Sequence, residues 1–240
     1  MKTRVVIVEL VDGESGTLSY ARHHNAWEFA CELMAEGAAV DLVPWGDGLD
    51  ALFPRLLDAD RILLWDDATL INLPATRMAL GNGRIMDALD ARDVVTAPCM
   101  SDRDLLSVFS GADIFARPRP DIGAGLLRAL LEKQVPLPVG GFGIHWVWMH
   151  ATALSRIAPP PGKAWLIGPP GAREDVTLSR RLIEGGCSVV CDPRIAVTSM
   201  LRSTASWMPA SGETPAVCAL AVKGAAVDPA TSSPGGAGEG

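Results

Sequence analysis

The sequence has few aromatic rings of the Phe and Tyr type: five Phe and one Tyr in 240 residues, against seven Trp. It is also short of cations, with 21 Lys and Arg against 28 Asp and Glu, a formal net charge of -7. That balance argues against a nucleic-acid binder, which needs clustered Lys and Arg for phosphate contacts. A nucleotide ligand stays open, because a few local cations or one metal ion neutralise a diphosphate. No apolar run reaches the ~18 residues of a spanning helix, so no integral membrane segment is expected. The start, Met1-Lys2-Thr3-Arg4-Val5-Val6-Ile7-Val8-Glu9, reads as a first strand rather than a signal peptide. The expected compartment is the cytoplasm.

Cysteine gives little either. Cys31, Cys99, Cys187, Cys191 and Cys218 are odd in number and form no Cys-x-x-Cys pair. Cys187 and Cys191 have no nearby His or third Cys to complete a zinc site. Buried thiols in a reducing compartment are expected. No Walker-type loop or Gly-x-Gly-x-x-Gly follows the first strand, and no Gly-x-Ser-x-Gly elbow occurs. These gaps count against P-loop enzymes, dinucleotide oxidoreductases and α/β-hydrolases.

What is present is a doubly wound pattern. Val5 to Leu10 opens with four β-branched residues in a row, Val5-Val6-Ile7-Val8, as in a strand buried on both faces. Residues 18 to 36 read as a helix stopped by Gly37, Ala39 to Pro44 as a strand, Gly48 to Leu57 as a short helix, and Arg61 to Trp65 as a third strand. That order, β-α-β-α-β, predicts an α/β fold with a three-layer, doubly wound, mostly parallel sheet. Further on, residues 75 to 90 and 125 to 133 read as helices and Asp93 to Ala97 as a strand. Leu137 to Val147 is mixed, Ala151 to Ile157 helical, Trp165 to Ile167 a possible short strand. Asp175 to Glu184 reads as a helix stopped by Gly185-Gly186, with strands at Ser188 to Cys191 and Ile195 to Thr198. One domain over 1–221 is expected, in two halves (1–100 and 101–221), followed by a disordered Gly/Ala/Ser/Pro tail over 222–240.

Four constellations could carry chemistry. Asp66-Asp67 closes the third strand, and ligands of open α/β sheets sit at the carboxyl ends of strands. Two carboxylates there can hold a hard cation, or simply form an acidic loop. Glu174-Asp175 opens the helix that ends at Gly185; capping explains one of the two, and a general base explains the other. Arg180-Arg181 could meet phosphate, or could be a solvated helix face. Trp146 and Trp148 alternate, so on a strand they share a side; flat rings suit a sugar or a base, a core, or an oligomer interface. His145 and His150 lack the spacing of a zinc pair.

The segment from Arg173 to Ser199, with Glu174-Asp175, Leu178, Arg180-Arg181-Leu182, Gly185, Asp192-Pro193 and Thr198-Ser199 before Arg202, resembles the closing motif of family 2, GT-A-fold glycosyltransferases. Val139-Gly-Gly-Phe-Gly and Met149-His-Ala-Thr-Ala-Leu-Ser-Arg-Ile157 resemble that family's Gly-rich strand and helix. Asp60 to Ala68 resembles its Asp-x-Asp strand. The resemblance implies a nucleotide-sugar donor, Mg²⁺ or Mn²⁺ on its diphosphate, a small-molecule or glycan acceptor, and transfer with inversion. Asp175 would match the general base, with Glu174 beside it; Asp66 and Asp67 would match the metal and nucleotide residues. Donor contacts would come from Asp12 and Asp47, and acceptor and phosphate contacts from Trp146, Trp148, Arg180 and Arg181. Two departures stand out. Ala68 occupies the last position of an Asp-x-Asp begun at Asp66. Gly46-Asp47-Gly48 is the nearest thing to the family's Asp-Asp-Gly-Ser loop. The stretch Ala26 to Leu49 is also similar to the opening of small sulfur-relay (DsrE-like) proteins, with Cys99 near their reactive cysteine. A non-catalytic nucleotide or partner binder is the third reading.

Overall fold

The computed structural model describes residues 2–9, 28, 30–44, 48–66, 69–80, 92–98, 108–109, 129–130, 132–166, 174–195, 197–199, 204–208 and 217–221. Its frame is a seven-stranded sheet. β1 (Thr3–Glu9) pairs in parallel with β2 (Ala38–Pro44) on one side and β3 (Arg61–Asp66) on the other. Between β1 and β2 the chain is helical over residues 30–35, and Gly37 turns it at φ 94°, a left-handed angle that glycine takes at little cost. Helix α1 (Gly48–Leu52), continued by a 3₁₀ turn at Phe53–Arg55, returns the chain to β3. Leu52, Phe53 and Leu56 are buried, so that connection covers one face of the sheet.

Every residue of β3 is buried, including Arg61 and Asp66. A strand with both faces covered explains the unbroken run Ile62-Leu-Leu-Trp65. Each such side chain contributes about 1.5–3 kcal/mol of burial free energy.

Beyond β3 the sheet changes character. β4 (Thr69–Ile71) leaves it. Helix α2 (Leu73–Ala79) follows, capped by Asn72, whose side chain accepts from the Ala75 N–H at 3.0 Å. β5 (Val94–Thr96) rejoins the sheet, β6 (Val108–Phe109) does not, and β7 (Leu137–Pro138) forms its far edge. β8 (Gly141–Phe142) pairs with β6 in a two-stranded sheet. β9 (Trp146–His150) then runs antiparallel between β3 and β5. Helix α3 (Ala151–Arg156) and helix α4 (Glu174–Glu184) lead to β10 (Val189–Cys191), parallel to β5 and antiparallel to β7. The order is β2-β1-β3-β9-β5-β10-β7.

The sheet is therefore mixed. Three of its six pairings are parallel, although five of its strands run the same way. The expected α/β class stands, and β9 and β7 break the parallel arrangement. The residues read as one mixed stretch, 137–147, resolve into the three strands β7, β8 and the start of β9.

A four-stranded antiparallel sheet adjoins the first, built from β4, β11 (Val197–Ser199), β12 (Thr204–Met208) and β13 (Val217–Ala221) in the order β13-β12-β11-β4. β4 follows β3 and β11 follows β10. The carboxyl end of β3 thus lies where the chain crosses from one sheet to the other. The stretch expected to be a strand at Trp165 is irregular. Its ring packs edge-on to Phe53 at 5.5 Å, the Leu166 N–H donates to Asp50 Oδ1 at 2.7 Å, and Arg181 donates to its carbonyl. The expected tail over 222–240 lies outside the described residues.

Candidate active site

The β3–β9 register builds the site. Trp65 faces Trp146 and each earlier residue of β3 faces a later one of β9, so Asp66 comes opposite His145. A backbone bond extends the ladder one step: the Asp66 N–H donates to the His145 carbonyl at 3.1 Å. The side chains meet as well. His145 Nδ1 lies 2.6 Å from Asp66 Oδ2, and both residues are mostly shielded, with side-chain exposures of 13% and 4%. A proton shared with a carboxylate at this distance fixes the imidazole orientation and places its N–H on the Asp66 side.

Asp175 approaches from the other direction. It stands in the first turn of α4, which packs against β8, and it is 5% exposed. Its Oδ1 accepts from the Val176 N–H at 2.8 Å, which helps to hold a carboxylate at a helix N-terminus. Its Oδ2 faces Gly143. A β-carbon at Gly143 would stand 3.5 Å from Asp175 Oδ2 and 3.2 Å from His145 Nε2. Both distances run to one point, so the imidazole and the carboxylate lie within about two hydrogen-bond lengths of each other. Gly143 is the clearance that lets them approach. The His145 N–H donates back to the Gly143 carbonyl at 2.9 Å, which folds this corner tightly.

One atom in the cluster stands out. Asp66 Oδ1 is buried and has no hydrogen-bond partner among the described residues. A buried carboxylate oxygen left unpaired is costly, and a hard oxygen donor suits Mg²⁺ or Mn²⁺. The residues present fit a cation to this extent: Asp66 supplies one oxygen. Asp67, the second expected ligand, lies outside the described residues. Among the described residues no group of three or more His, Cys, Asp or Glu is placed to hold a metal ion.

The other expected residues fall in different places. Asp12 and Asp47 lie outside the described residues, as does Cys99. Glu174 is half-buried beside Asp175 at the start of α4. Trp146 and Trp148 share a side of β9, as alternation requires, but each is only 1% exposed. β9 is flanked by β3 and β5, so these rings are core and present no stacking surface for an acceptor. The Arg61 guanidinium lies over the Trp148 ring at 5.9 Å. Arg180 is exposed and bonds Glu184 one turn on at 2.6 Å, a solvated helix pair. Arg181 gives its terminal nitrogens to the carbonyls of Trp165 and Ile157, the latter at 3.0 Å. It therefore ties the 157–166 segment to α4.

His145 is the functional residue that the sequence pattern does not mark, since with His150 it lacks the spacing of a zinc pair. The signal was its place between a Gly-rich corner and a buried strand, opposite an acidic strand end.

No family model matches this chain, and no curated protein matches it. Among solved structures it is similar to the crystal structure of A197 from STIV, at a TM-score of 0.49 and 12% identity, over 87% of this chain and 91% of that one. A likeness of that size identifies neither a family nor a function. No helix among the described residues is long and apolar enough to cross a membrane.

Proposed function

We propose that this protein is a glycosyltransferase, moving a sugar from a nucleotide-sugar donor to an acceptor hydroxyl with inversion. The observation that carries the reading is the convergence of Asp66 and Asp175 on His145 and Gly143. The two carboxylates stand in separate sequence segments, and the family resemblance gives Asp66 to the donor side and Asp175 to the acceptor side. Their meeting at one buried corner is what a displacement between the two substrates requires.

Asp175 is the general base. Its Oδ2 takes the proton of the acceptor hydroxyl as that oxygen attacks the anomeric carbon, and the nucleoside diphosphate leaves from the opposite face. With Oδ1 held by the Val176 N–H, the carboxylate is kept from rotating and Oδ2 stays on the Gly143 side. On the donor side, Asp66 Oδ1 would hold Mg²⁺ or Mn²⁺. Such an ion, when bound, neutralises the charge developing on the departing diphosphate.

The test is thermal denaturation of the full chain with a panel of nucleoside diphosphates, with and without Mn²⁺. A ligand at 100 times its dissociation constant stabilises the folded state by about 2.7 kcal/mol. One nucleotide should raise the melting temperature, more so with Mn²⁺. No response to any nucleotide would remove the donor side of the reading.

A further inference from the structure

We propose that His145 is a positioning residue: it grips Asp66 Oδ2 so that Oδ1 is the oxygen left to meet a divalent cation, and Gly143 provides the room for its ring. The inference rests on the reading of Asp66 as the donor-side carboxylate. It assigns a role to two residues which that reading does not use.

The geometry runs in three steps. A carboxylate on a short side chain can rotate and can offer a cation either oxygen or both. The 2.6 Å contact with His145 Nδ1 occupies Oδ2, and the Asp66 N–H bond to the His145 carbonyl fixes the backbone beneath it. Oδ1 is then the oxygen without a partner among the described residues, and it is buried. Carboxylates that ligate metals are commonly held in this way by a second residue. Losing that partner typically costs about 10–100-fold in metal affinity or activity.

Gly143 completes the device. A β-carbon there would stand 3.2 Å from both Nε2 and Cδ2 of His145, tighter than ordinary van der Waals contact. The ring would have to swing, and the swing would be felt at Nδ1 and so at Asp66. Gly143 is not among the glycines with a left-handed backbone, so Ala can take its backbone angles. The cost of Gly143→Ala falls on the ring rather than on the fold.

The experiment titrates Mn²⁺ alone into the full chain and follows it by calorimetry, with the melting temperature of each variant measured beside it. Wild type should bind Mn²⁺, and Asp66→Ala should abolish binding. His145→Ala should weaken it about tenfold or more. His145→Asn, which keeps an N–H donor near the position of Nδ1, should recover most of that loss. Gly143→Ala should weaken binding while melting near wild type.

Proton NMR of the imidazole provides a readout that needs no metal. A downfield Nδ1 proton, lost in Asp66→Ala, should mark the grip itself. If the grip is present and wild type binds no Mn²⁺, the cation reading falls and the positioning role falls with it. If wild type binds Mn²⁺ while folded His145→Ala binds as tightly, the inference is overturned and the cation reading stands. A folded His145→Asn no better than His145→Ala would also overturn it.

Discussion

Two polar clusters lie at opposite ends of the strands of one sheet, and they are satisfied to different degrees. At the amino ends of β5 and β10, Asp93 Oδ2 accepts from the Ser188 N–H at 2.8 Å, the Ser188 hydroxyl at 3.0 Å and Arg156 Nη1 at 3.3 Å. Ser188 Oγ in turn accepts from the Asp93 N–H at 3.1 Å. Cys187 closes the group, with its thiol 3.7 Å from Arg156 Nη1. At the carboxyl end of β3, Asp66 has one oxygen held by His145 and one left over. The first cluster is a clasp joining β5, α3 and β10, complete without any ligand. The second is complete only when something meets Asp66 Oδ1. A buried carboxylate oxygen left without a hydrogen-bond partner costs stability, and proteins tolerate such a cost chiefly where function requires it.

Stability measurements offer the sharpest way to break this contrast. Asp93→Ala removes the acceptor for two Ser188 donors and for Arg156, and should destabilise the fold by about 1–3 kcal/mol. Asp66→Asn keeps an oxygen for the His145 N–H and removes a buried charge. Its unfolding free energy in urea should match or exceed that of wild type. Equal losses in the two variants would erase the distinction between clasp and site.

A smaller effect sharpens the clasp. The Ser188 backbone N–H, the Ser188 hydroxyl and Arg156 together hold the Asp93 carboxyl below its ordinary value of 3.8. A carboxylate with a lowered folded pKa stabilises the protein above the unfolded value, and that contribution disappears as pH falls through the folded value. Wild type should therefore lose stability in acid below about pH 3.8, and Asp93→Asn should lose less over the same window. Urea titrations at pH 3 and pH 6 read the difference.

The smallest effect concerns the thiols. Burial pushes the Cys187 thiol above its usual value of 9.0, although Arg156 pulls the other way. Cys187 should stay protonated and react slowly with a maleimide at pH 8. Exposed Cys31 should react at once, with peptide mapping reading each cysteine separately. Rapid labelling of Cys187 in the folded protein would open the clasp to question.

How much of this was legible in the sequence divides along the same line. The parallel trio β2-β1-β3 was readable because its contacts are local in order and its strands are continuous apolar runs. Helix α4 was readable from Leu178 and Leu182 and from Gly186, whose φ of 75° ends it. The insertion of β9 between β3 and β5 was not. An antiparallel crossover from residue 146 back to residue 65 leaves no periodic trace. That single pairing carries Trp146 and Trp148 into the core, and it brings His145 to Asp66 across 79 residues. The two carboxylates were found because each ends or begins an element. Their partner was missed because it is a partner only in three dimensions. Trp165 was misread for a related reason: its apolar neighbours suggested a strand, whereas contacts with Phe53 and Arg181 hold it as irregular chain.

The most direct test of transfer at this corner is turnover of a nucleotide-sugar panel by wild type and by Asp175→Asn, with the anomer of the product read by NMR. Wild type should release nucleoside diphosphate from one donor and give product of inverted configuration. Asp175→Asn should melt like wild type, still bind the nucleotide, and turn over about 100-fold more slowly or worse. Turnover by Asp175→Asn at the wild-type rate, or a product of retained configuration, would contradict the account.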